Sequence, residues 1–221
     1  MFLRKHLPLG CALAGLFAAV APSFAQLAPR KADAWVATLE GPQRVASQKI
    51  DQVLARLSLK PGMVVADIGA GSGLFSRPLA QAVAPSGKVY AVDIQQDLLD
   101  YINKRSQQAG IRNIDTVLGG YDDPRLPARD IDLAFINDVL HHIRDRAVYL
   151  KALGAYLKPS GRIAIIEMNK DDPDTPHRSQ PELLVSRAQI LDWMSAAGFK
   201  LVGEHPDLFP GTKWFLVFGR N

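Results

Sequence analysis

Apolar and polar positions along this chain of 221 residues follow two periods, one typical of buried strands and one typical of amphipathic helices. Short apolar runs predict strands at 63–67, 88–93, 114–118, 131–136 and 162–167. Helical spacing predicts helices at 42–59, about 74–84, 98–109 and about 145–157. Strands that alternate with helices in this order predict a parallel α/β sheet with right-handed crossovers.

The last part of the chain has a different pattern. A helix predicted near 187–197 is followed by strands at 200–204 and 213–218, with a loop rich in Pro and Gly between them. Two strands joined in this way predict a hairpin-like, antiparallel finish to the sheet.

The segment after the first strand carries the candidate chemistry. Asp67 ends the apolar run, and Gly69, Gly71 and Gly73 stand at alternate positions before the next helix. Glycines let a backbone turn tightly and approach a ligand, and a helix start offers unpaired N–H groups. The loop therefore predicts a site for a polar, nucleotide-like ligand at the carboxyl end of a strand.

The spacing of these glycines discriminates between nucleotides. The dinucleotide-binding pattern G-x-G-x-x-G/A requires a small third residue, whereas Leu74 stands there when counted from Gly69, which disfavours an NAD-dependent oxidoreductase. The order D-x-G-x-G-x-G instead resembles the first motif of the class I S-adenosylmethionine (SAM)-dependent methyltransferases. In such a site Asp67 can engage the ammonium group of SAM, directly or through water. A glycine-rich turn that binds no nucleotide is the alternative.

The resemblance covers roughly residues 43–221 and implies a Rossmann-like fold. That fold is a seven-stranded, mostly parallel sheet with an antiparallel last strand and helices on both faces. It also implies that Asp93, at the end of the second strand, holds the ribose hydroxyls and that Ile94 packs against adenine, although a strand-end Asp can simply be solvated. The residues that we predict to bind SAM are Asp67, Gly69, Ala70, Gly71, Gly73, Asp93, Ile94, Tyr121, Asp122 and Asn137.

The loop after the third strand departs from the family pattern. Gly120 replaces the Asp that often follows a Gly there, so Asp122 or Asp123 is expected to contact the adenine amino group, beside Tyr121. Asp-Asp-Pro is also an ordinary turn sequence. Asn137, after the fourth strand, corresponds to a residue that lines the SAM pocket near the reacting methyl group.

The paired histidines after the fourth strand are the predicted catalytic residues. His141 and His142 resemble a pair found at the boundary of cofactor and substrate in one branch of small-molecule methyltransferases. A His there can act as a general base on an acidic O–H or N–H. Metal ligation and simple packing are the alternatives, and no metal site is predicted because the spacing supplies no third ligand. His177 and His205 are isolated in the sequence and receive no role.

Two segments are expected to cover the site. The polar stretch 167–181 contains several prolines and follows the fifth strand, where the fold places it over the active site. It is either a lid that governs substrate choice or a disordered surface loop. Trp35 and Leu39 are expected to cover the same cavity.

The first 25 residues have the pattern of a secretory signal peptide. A basic start at 4–6 precedes an apolar stretch at 7–20, and Ser23-Phe24-Ala25 forms a small-x-small cleavage site. We expect cleavage after Ala25 and a periplasmic or secreted product without a stable membrane anchor. The expected division is 1–25 signal peptide, 26–60 N-terminal helical segment and 61–221 SAM-binding methyltransferase domain. Cys11 is the single cysteine, so the mature chain would have no thiolate chemistry.

Charge excludes one class of partner. The chain has 26 Lys and Arg and 22 Asp and Glu, and loss of Arg4 and Lys5 with the signal peptide leaves 26 − 2 = 24 basic residues. This balance disfavours nucleic acid, which needs clustered basic residues with aromatic platforms. The sequence therefore predicts SAM-dependent methyl transfer to a small acceptor, while the oligomeric state is undetermined. Because SAM is made in the cytoplasm, an exported protein that binds SAM or another small ligand without catalysis is the alternative.

Overall fold

The computed structural model describes residues 32–175 and 177–221, so the predicted signal peptide and Cys11 lie outside the described residues. The chain first forms three short helices. These are α1 (Ala32–Leu39), α2 (Pro42–Ser47) and α3 (Ile50–Arg56). The continuous helix predicted at 42–59 is wrong, because Lys49 adopts a left-handed conformation (φ 47°) between α2 and α3. Its ammonium group donates to the Leu208 carbonyl oxygen at 2.6 Å, a tertiary contact that local sequence does not reveal.

Strands and helices then alternate as predicted. The strands are β1 (Val64–Ile68), β2 (Lys88–Asp93), β3 (Ile114–Leu118), β4 (Ile131–Asn137), β5 (Leu157–Met168), β6 (Phe199–Glu204) and β7 (Lys213–Arg220). The helices between them are α4 (Ser76–Val83), α5 (Gln96–Gln108), α6 (Arg146–Gly154) and α7 (Arg187–Ala196), with 3₁₀ turns at Leu140–His142 and Pro181–Leu183. The segment at 157–161, which lies between the predicted helix and the predicted strand, belongs to β5, where the pairing with β4 is irregular between Ile131 and Leu133.

The strands form one seven-stranded sheet in the order β3-β2-β1-β4-β5-β7-β6. The first five pair in parallel, and β7 inserts antiparallel to both β5 and β6. This confirms the predicted class I methyltransferase fold with its antiparallel last strand. Parallel pairing also brings the carboxyl ends of β1, β2 and β4 to one edge of the sheet, where sites of such folds lie.

Both faces of the sheet are covered. On β4, Ala134 and Ile136 pack into one apolar cluster with α6 and α7, whereas Leu133 and Phe135 pack into a second cluster with α3 and α4. Strands buried on both sides require the nearly continuous apolar runs seen in the sequence. In the described part of the chain, no helix has the length and apolar character needed to cross a membrane.

Candidate functional site

The three glycines after β1 all adopt left-handed backbone conformations, with φ of 68° at Gly69, 56° at Gly71 and 74° at Gly73. A Cβ on Gly69 would lie 2.5 Å from Cγ2 of Val139, and one on Gly73 would lie 2.9 Å from Cγ1 of Ile102. Gly69 therefore lets the turn pass close under the end of β4. Gly73 serves helix packing, whereas Gly69 and Gly71 line a cavity.

This cavity lies at the carboxyl ends of β1 and β4, and we call it the cofactor cavity. It brings together many of the predicted residues with several that were not predicted. Its lining residues are Leu39, Arg44, Gln48, Asp67, Gly69, Ala70, Gly71, Ser72, Leu74, Phe75, Asn137, Asp138 and Val139.

Asp67 is buried at the floor of this cavity. The Ser76 hydroxyl donates to its Oδ2 at 2.5 Å. Burial raises the pKa of Asp67 to about 7, the Ser76 hydrogen bond opposes the rise, and the nearby Asp93 adds to it. The carboxyl group is thus poised between its two protonation states near neutral pH, and a bound cation would favour the ionised one.

Asp93 connects the end of β2 to the glycine loop. Its Oδ2 accepts the Gly71 N–H at 2.9 Å, and its Oδ1 accepts the Gln95 N–H at 3.0 Å. Burial raises the pKa of Asp93, and these two N–H donors oppose the rise. Each carboxylate oxygen can accept a further hydrogen bond, so a vicinal diol can still bind there.

The ends of β2 and β3, with the loops that follow them, present exposed apolar side chains. Ile94, Leu118 and Tyr121 are 41%, 47% and 59% exposed, and Leu118 pairs with Asp93 across β2 and β3. An aromatic base can pack on such a surface. Of the two candidate carboxylates, Asp123 is engaged by the Tyr156 hydroxyl at 2.9 Å and the Arg125 N–H at 2.6 Å. Asp122 is exposed, which favours it as the ligand-facing residue.

A polar network that was not predicted surrounds Asn137. Its amide nitrogen donates to Gln48 Oε1 at 3.1 Å, and Gln48 Nε2 donates to Asp138 Oδ2 at 3.2 Å. Lys213 also donates to Asp138 Oδ2, at 2.7 Å, and Arg44 lies 3.5 Å from the same oxygen. Burial opposes ionisation of Asp138, but the two cations outweigh it and lower its pKa. No motif marks these partners, because they come from α2, from the residue that follows it and from β7.

Three polar atoms in the cavity lining are buried without a hydrogen-bond partner among the described residues. They are Ser72 Oγ, Asn137 Oδ1 and Asp138 Oδ1. Buried polar groups are nearly always satisfied, so these atoms indicate a polar ligand. The two acceptor oxygens suit an ammonium group, and the Ser72 hydroxyl can donate to a carboxylate. An amino-acid moiety carrying a nucleoside, as in SAM, fits these residues together with Asp93 and Ile94.

Leu39, at the end of α1, covers this cavity, as expected from the sequence. A Cβ on Gly71 would lie 3.0 Å from Cδ1 of Leu39. The adjacent Glu40 binds Arg77 at 2.8 Å and accepts from the Tyr101 hydroxyl at 3.1 Å, which ties α1 to α4 and α5. With α1 in this position the cavity measures about 70 Å³, less than the roughly 300 Å³ typical of small-molecule pockets, because Leu39 occupies one side of it.

The predicted catalytic pair lies beside the cavity in the 3₁₀ turn Leu140–His142. His141 is buried, and its Nδ1 lies 2.7 Å from Glu167 Oε1. Glu167 Oε2 accepts the backbone N–H of His141 at 3.1 Å, and the Arg146 guanidinium donates to the Leu140 and His141 carbonyls at 3.0 and 2.8 Å. These contacts hold the turn and the His141 ring in one orientation.

His142 and His177 complete the group. The ring centres of His141 and His142 are 4.0 Å apart, and that of His177 is 5.3 and 6.0 Å from them. Burial lowers the pKa of His142 to about 3, with its His141 and His177 neighbours adding to the effect. His142 is therefore neutral at physiological pH and a weak base. The expectation that His177 is isolated is wrong, because the segment after β5 brings it next to His141 and His142. His205 packs on Phe215.

A second cavity, of about 390 Å³, lies at the opposite edge of the sheet. It is lined by Ser58, Lys60, Met63, Asp132, Ser160 and Arg162. The amino ends of parallel strands do not carry the ligand sites of these folds, so we place the functional site at the smaller cofactor cavity.

Comparison with known proteins shows the family of the chain. A family model described as a methyltransferase domain matches residues 59–201, more than half of the chain. The chain belongs to the class I SAM-dependent methyltransferase family. SAM is accordingly its cofactor, in keeping with the donors and acceptors of the cofactor cavity.

Individual relatives of this methyltransferase-family chain are distant. It is 34% identical over 138 residues to an uncharacterized 37.1 kDa protein in a transposon of Streptomyces fradiae, over 62% of this chain and 38% of that protein. It is 23% identical over 120 residues to demethylmenaquinone methyltransferase of Geobacillus sp., over 54% of this chain and 51% of the relative. The chain thus matches about half or less of each relative's length.

The fold of this chain is also found among solved structures. A SAM-dependent methyltransferase from Aquifex aeolicus superposes with a TM-score of 0.76 at 24% identity, covering 86% of this chain and 98% of that one.

Proposed function

We propose that this methyltransferase-family chain transfers the methyl group of SAM to a small, partly apolar acceptor. The observation that carries the proposal is the cofactor cavity, where the unpartnered Ser72, Asn137 and Asp138 atoms belong to residues that line the same space as Asp67 and the glycine loop. Buried polar atoms are nearly always satisfied, so these atoms support the binding of a polar ligand.

Different residues would hold each part of the cofactor. Asp93, held by the Gly71 N–H, would position the ribose, Ile94 and Asp122 would contact the base, and Asn137 with Asp138 would hold the amino-acid end. When bound, SAM supplies a methyl group on a positively charged sulfur. Val139 and Leu39 exclude water from the cavity. When two reactants must meet in line, holding them in that position provides most of the rate enhancement.

The predicted catalytic histidines lie at the acceptor end of this arrangement. Because Nδ1 of His141 faces the Glu167 carboxylate, the neutral ring carries its proton there and leaves Nε2 as an acceptor. His141 Nε2 can therefore hold the O–H or N–H of an acceptor. Burial lowers the pKa of His142 to about 3, so its neutral ring lines the site and does not act as a base.

Two observations support a small, partly apolar acceptor. The balanced charge of the chain lacks the clustered basic residues that a nucleic-acid substrate needs. In addition, a relative at 23% identity is a demethylmenaquinone methyltransferase, so aromatic rings with oxygen substituents are the first class to test.

We also propose that the chain is exported and cleaved after Ala25, on the pattern of residues 1–25. The second candidate function is that of a binding protein that keeps the methyltransferase fold without turnover. Export favours this candidate, because SAM is made in the cytoplasm. A fold does not by itself determine an activity.

Binding and turnover separate these candidates. Protein beginning at Gln26 is titrated with SAM and with S-adenosylhomocysteine in a calorimeter, and S-adenosylhomocysteine release is then measured with a panel of phenols, quinols and amines. Binding with turnover supports the enzyme, and binding without turnover on the panel supports the second candidate. Absence of heat at millimolar SAM would refute the enzyme and would also refute the second candidate as a SAM-binding protein. For export, a protein that retains Met1 in intact cells would refute cleavage.

A further inference from the structure

We propose that His141, His142 and His177 form a binding site for a divalent transition-metal ion, with Glu167 as the residue that orients His141. One ligand nitrogen of each histidine lies within 4.8 Å of those of the other two. Imidazole nitrogens favour zinc, iron, nickel and copper over magnesium or calcium.

The two sequence-adjacent histidines form a rigid platform for this site. Neighbouring side chains ordinarily diverge, but the 3₁₀ turn brings the rings of His141 and His142 to 4.0 Å between centres. Arg146 holds the carbonyls of the turn, and Glu167 holds the His141 ring through Nδ1. A carboxylate on the far nitrogen of a histidine is the outer-shell partner that metal-bound histidines usually have, and it leaves Nε2 for the ion.

The third ligand comes from the segment after β5. His177 has a left-handed backbone (φ 66°), and its Nδ1 lies 3.3 Å from Gln180 Oε1. Three nitrogens around a tetrahedral zinc ion, with bonds of about 2.0–2.1 Å, lie roughly 3.4 Å apart. The separations, which are at most 4.8 Å, therefore have to close by no more than about 1.4 Å, and the loop residue His177 can make this movement while the platform stays in place.

An unsatisfied atom independently indicates a ligand at this site. His142 Nδ1 is buried without a hydrogen-bond partner among the described residues. A buried nitrogen of this kind is one of the two that His142 can offer to an ion. Ion binding would remove the penalty of leaving a buried polar atom unpaired.

Three protein ligands leave a fourth position open, which is typical of catalytic and not structural zinc sites. If the proposed function is correct, that position would take an oxygen of the acceptor and hold it by coordination in place of a hydrogen bond to His141. This extension rests on the proposed function, whereas the metal site itself does not.

Cobalt titration tests the site directly. Untagged full-length protein, freed of metal with a chelator, is titrated with Co²⁺ while the visible absorption of tetrahedral cobalt is followed. We expect saturation at one equivalent. His177→Gln is expected to weaken Co²⁺ binding at least about 100-fold, because loss of a ligand has no smaller effect than loss of its outer-shell partner. The matched control His205→Gln is expected to change it less than about twofold.

Glu167→Gln tests the orienting role. It is expected to weaken Co²⁺ binding about 10- to 100-fold and to alter the cobalt spectrum, which a purely structural role would leave unchanged. Equal loss in His177→Gln and His205→Gln, or absence of saturable binding in folded protein, would overturn the proposal. SAM titration of the same metal-free protein distinguishes failure of the metal site from failure of the proposed function. Cobalt binding without SAM binding upholds the metal site and refutes the proposed function, and the reverse refutes only the metal site.

Discussion

The backbone N–H of Gly71 donates to Oδ2 of Asp93 at 2.9 Å and so joins the glycine loop after β1 to the end of β2. The two motifs that point to SAM in the sequence are 22 residues apart and form one structural unit. The Gln95 N–H holds the other carboxylate oxygen. The carboxylate is therefore held in place before the ligand arrives, which limits the entropy lost on binding.

Asp93→Asn is expected to weaken SAM binding about 10- to 100-fold, because the amide offers one acceptor oxygen where the ribose and the two N–H donors need two. Isothermal titration of the variant measures the effect. Asp115→Asn is the control, since Asp115 is an exposed residue of β3 that pairs with Lys88. Unchanged affinity in Asp93→Asn would show that ribose binds elsewhere.

Gly69→Ala is expected to destabilise the protein through two effects, a left-handed φ and a clash with Val139. Gly110→Ala isolates the first effect, because Gly110 has φ 69° and no atom within 4 Å of an added Cβ. We expect about 1–2 kcal/mol of destabilisation at Gly110 and a further 1–3 kcal/mol or so at Gly69 from overpacking. Urea unfolding measures both, and equal losses would mean that Val139 yields without strain.

Asp67 should make stability depend on pH. Its folded-state pKa of about 7 lies above the ordinary value of 3.8, so its contribution is fully present below about pH 4 and is lost as the pH rises through 7. Asp67→Asn removes this loss while keeping an acceptor for Ser76. The free energy of unfolding of the variant should therefore rise relative to that of the original protein between pH 4 and 7, by at most about 4 kcal/mol. Parallel urea-unfolding curves at these pH values would contradict the raised pKa.

Glu40→Gln should loosen the cover over the cofactor cavity, because it removes the charge that binds Arg77 and weakens the Tyr101 contact. An ion pair of this partial burial contributes about 1 kcal/mol or less, so we expect SAM association and dissociation to accelerate by up to roughly fivefold. Stopped-flow fluorescence can follow this, since Trp35 lies within α1. Asp51→Asn, at an exposed position of α3, is the control; equal rates in both variants would show that α1 is not the barrier.

Local chemistry accounts for what could be predicted. The order of β1–β5, the positive φ values of the loop and the placement of Asp67 and Asp93 all follow from short-range patterns of apolar residues, glycines and strand-end carboxylates. The break at Lys49 could not be predicted, because its cause is a contact with Leu208, 159 residues away. For the same reason, the meeting of His177 with His141 and His142 was not predicted.

Gln48, the residue after α2, and Lys213 in β7 are 165 residues apart, yet both bind the same carboxylate, that of Asp138. The polar side of the cavity therefore needs residues from near both ends of the described chain, and the cofactor site is incomplete until β7 has joined the sheet. If the protein is exported in an unfolded state, it crosses the membrane without bound cofactor and must bind its cofactor after export.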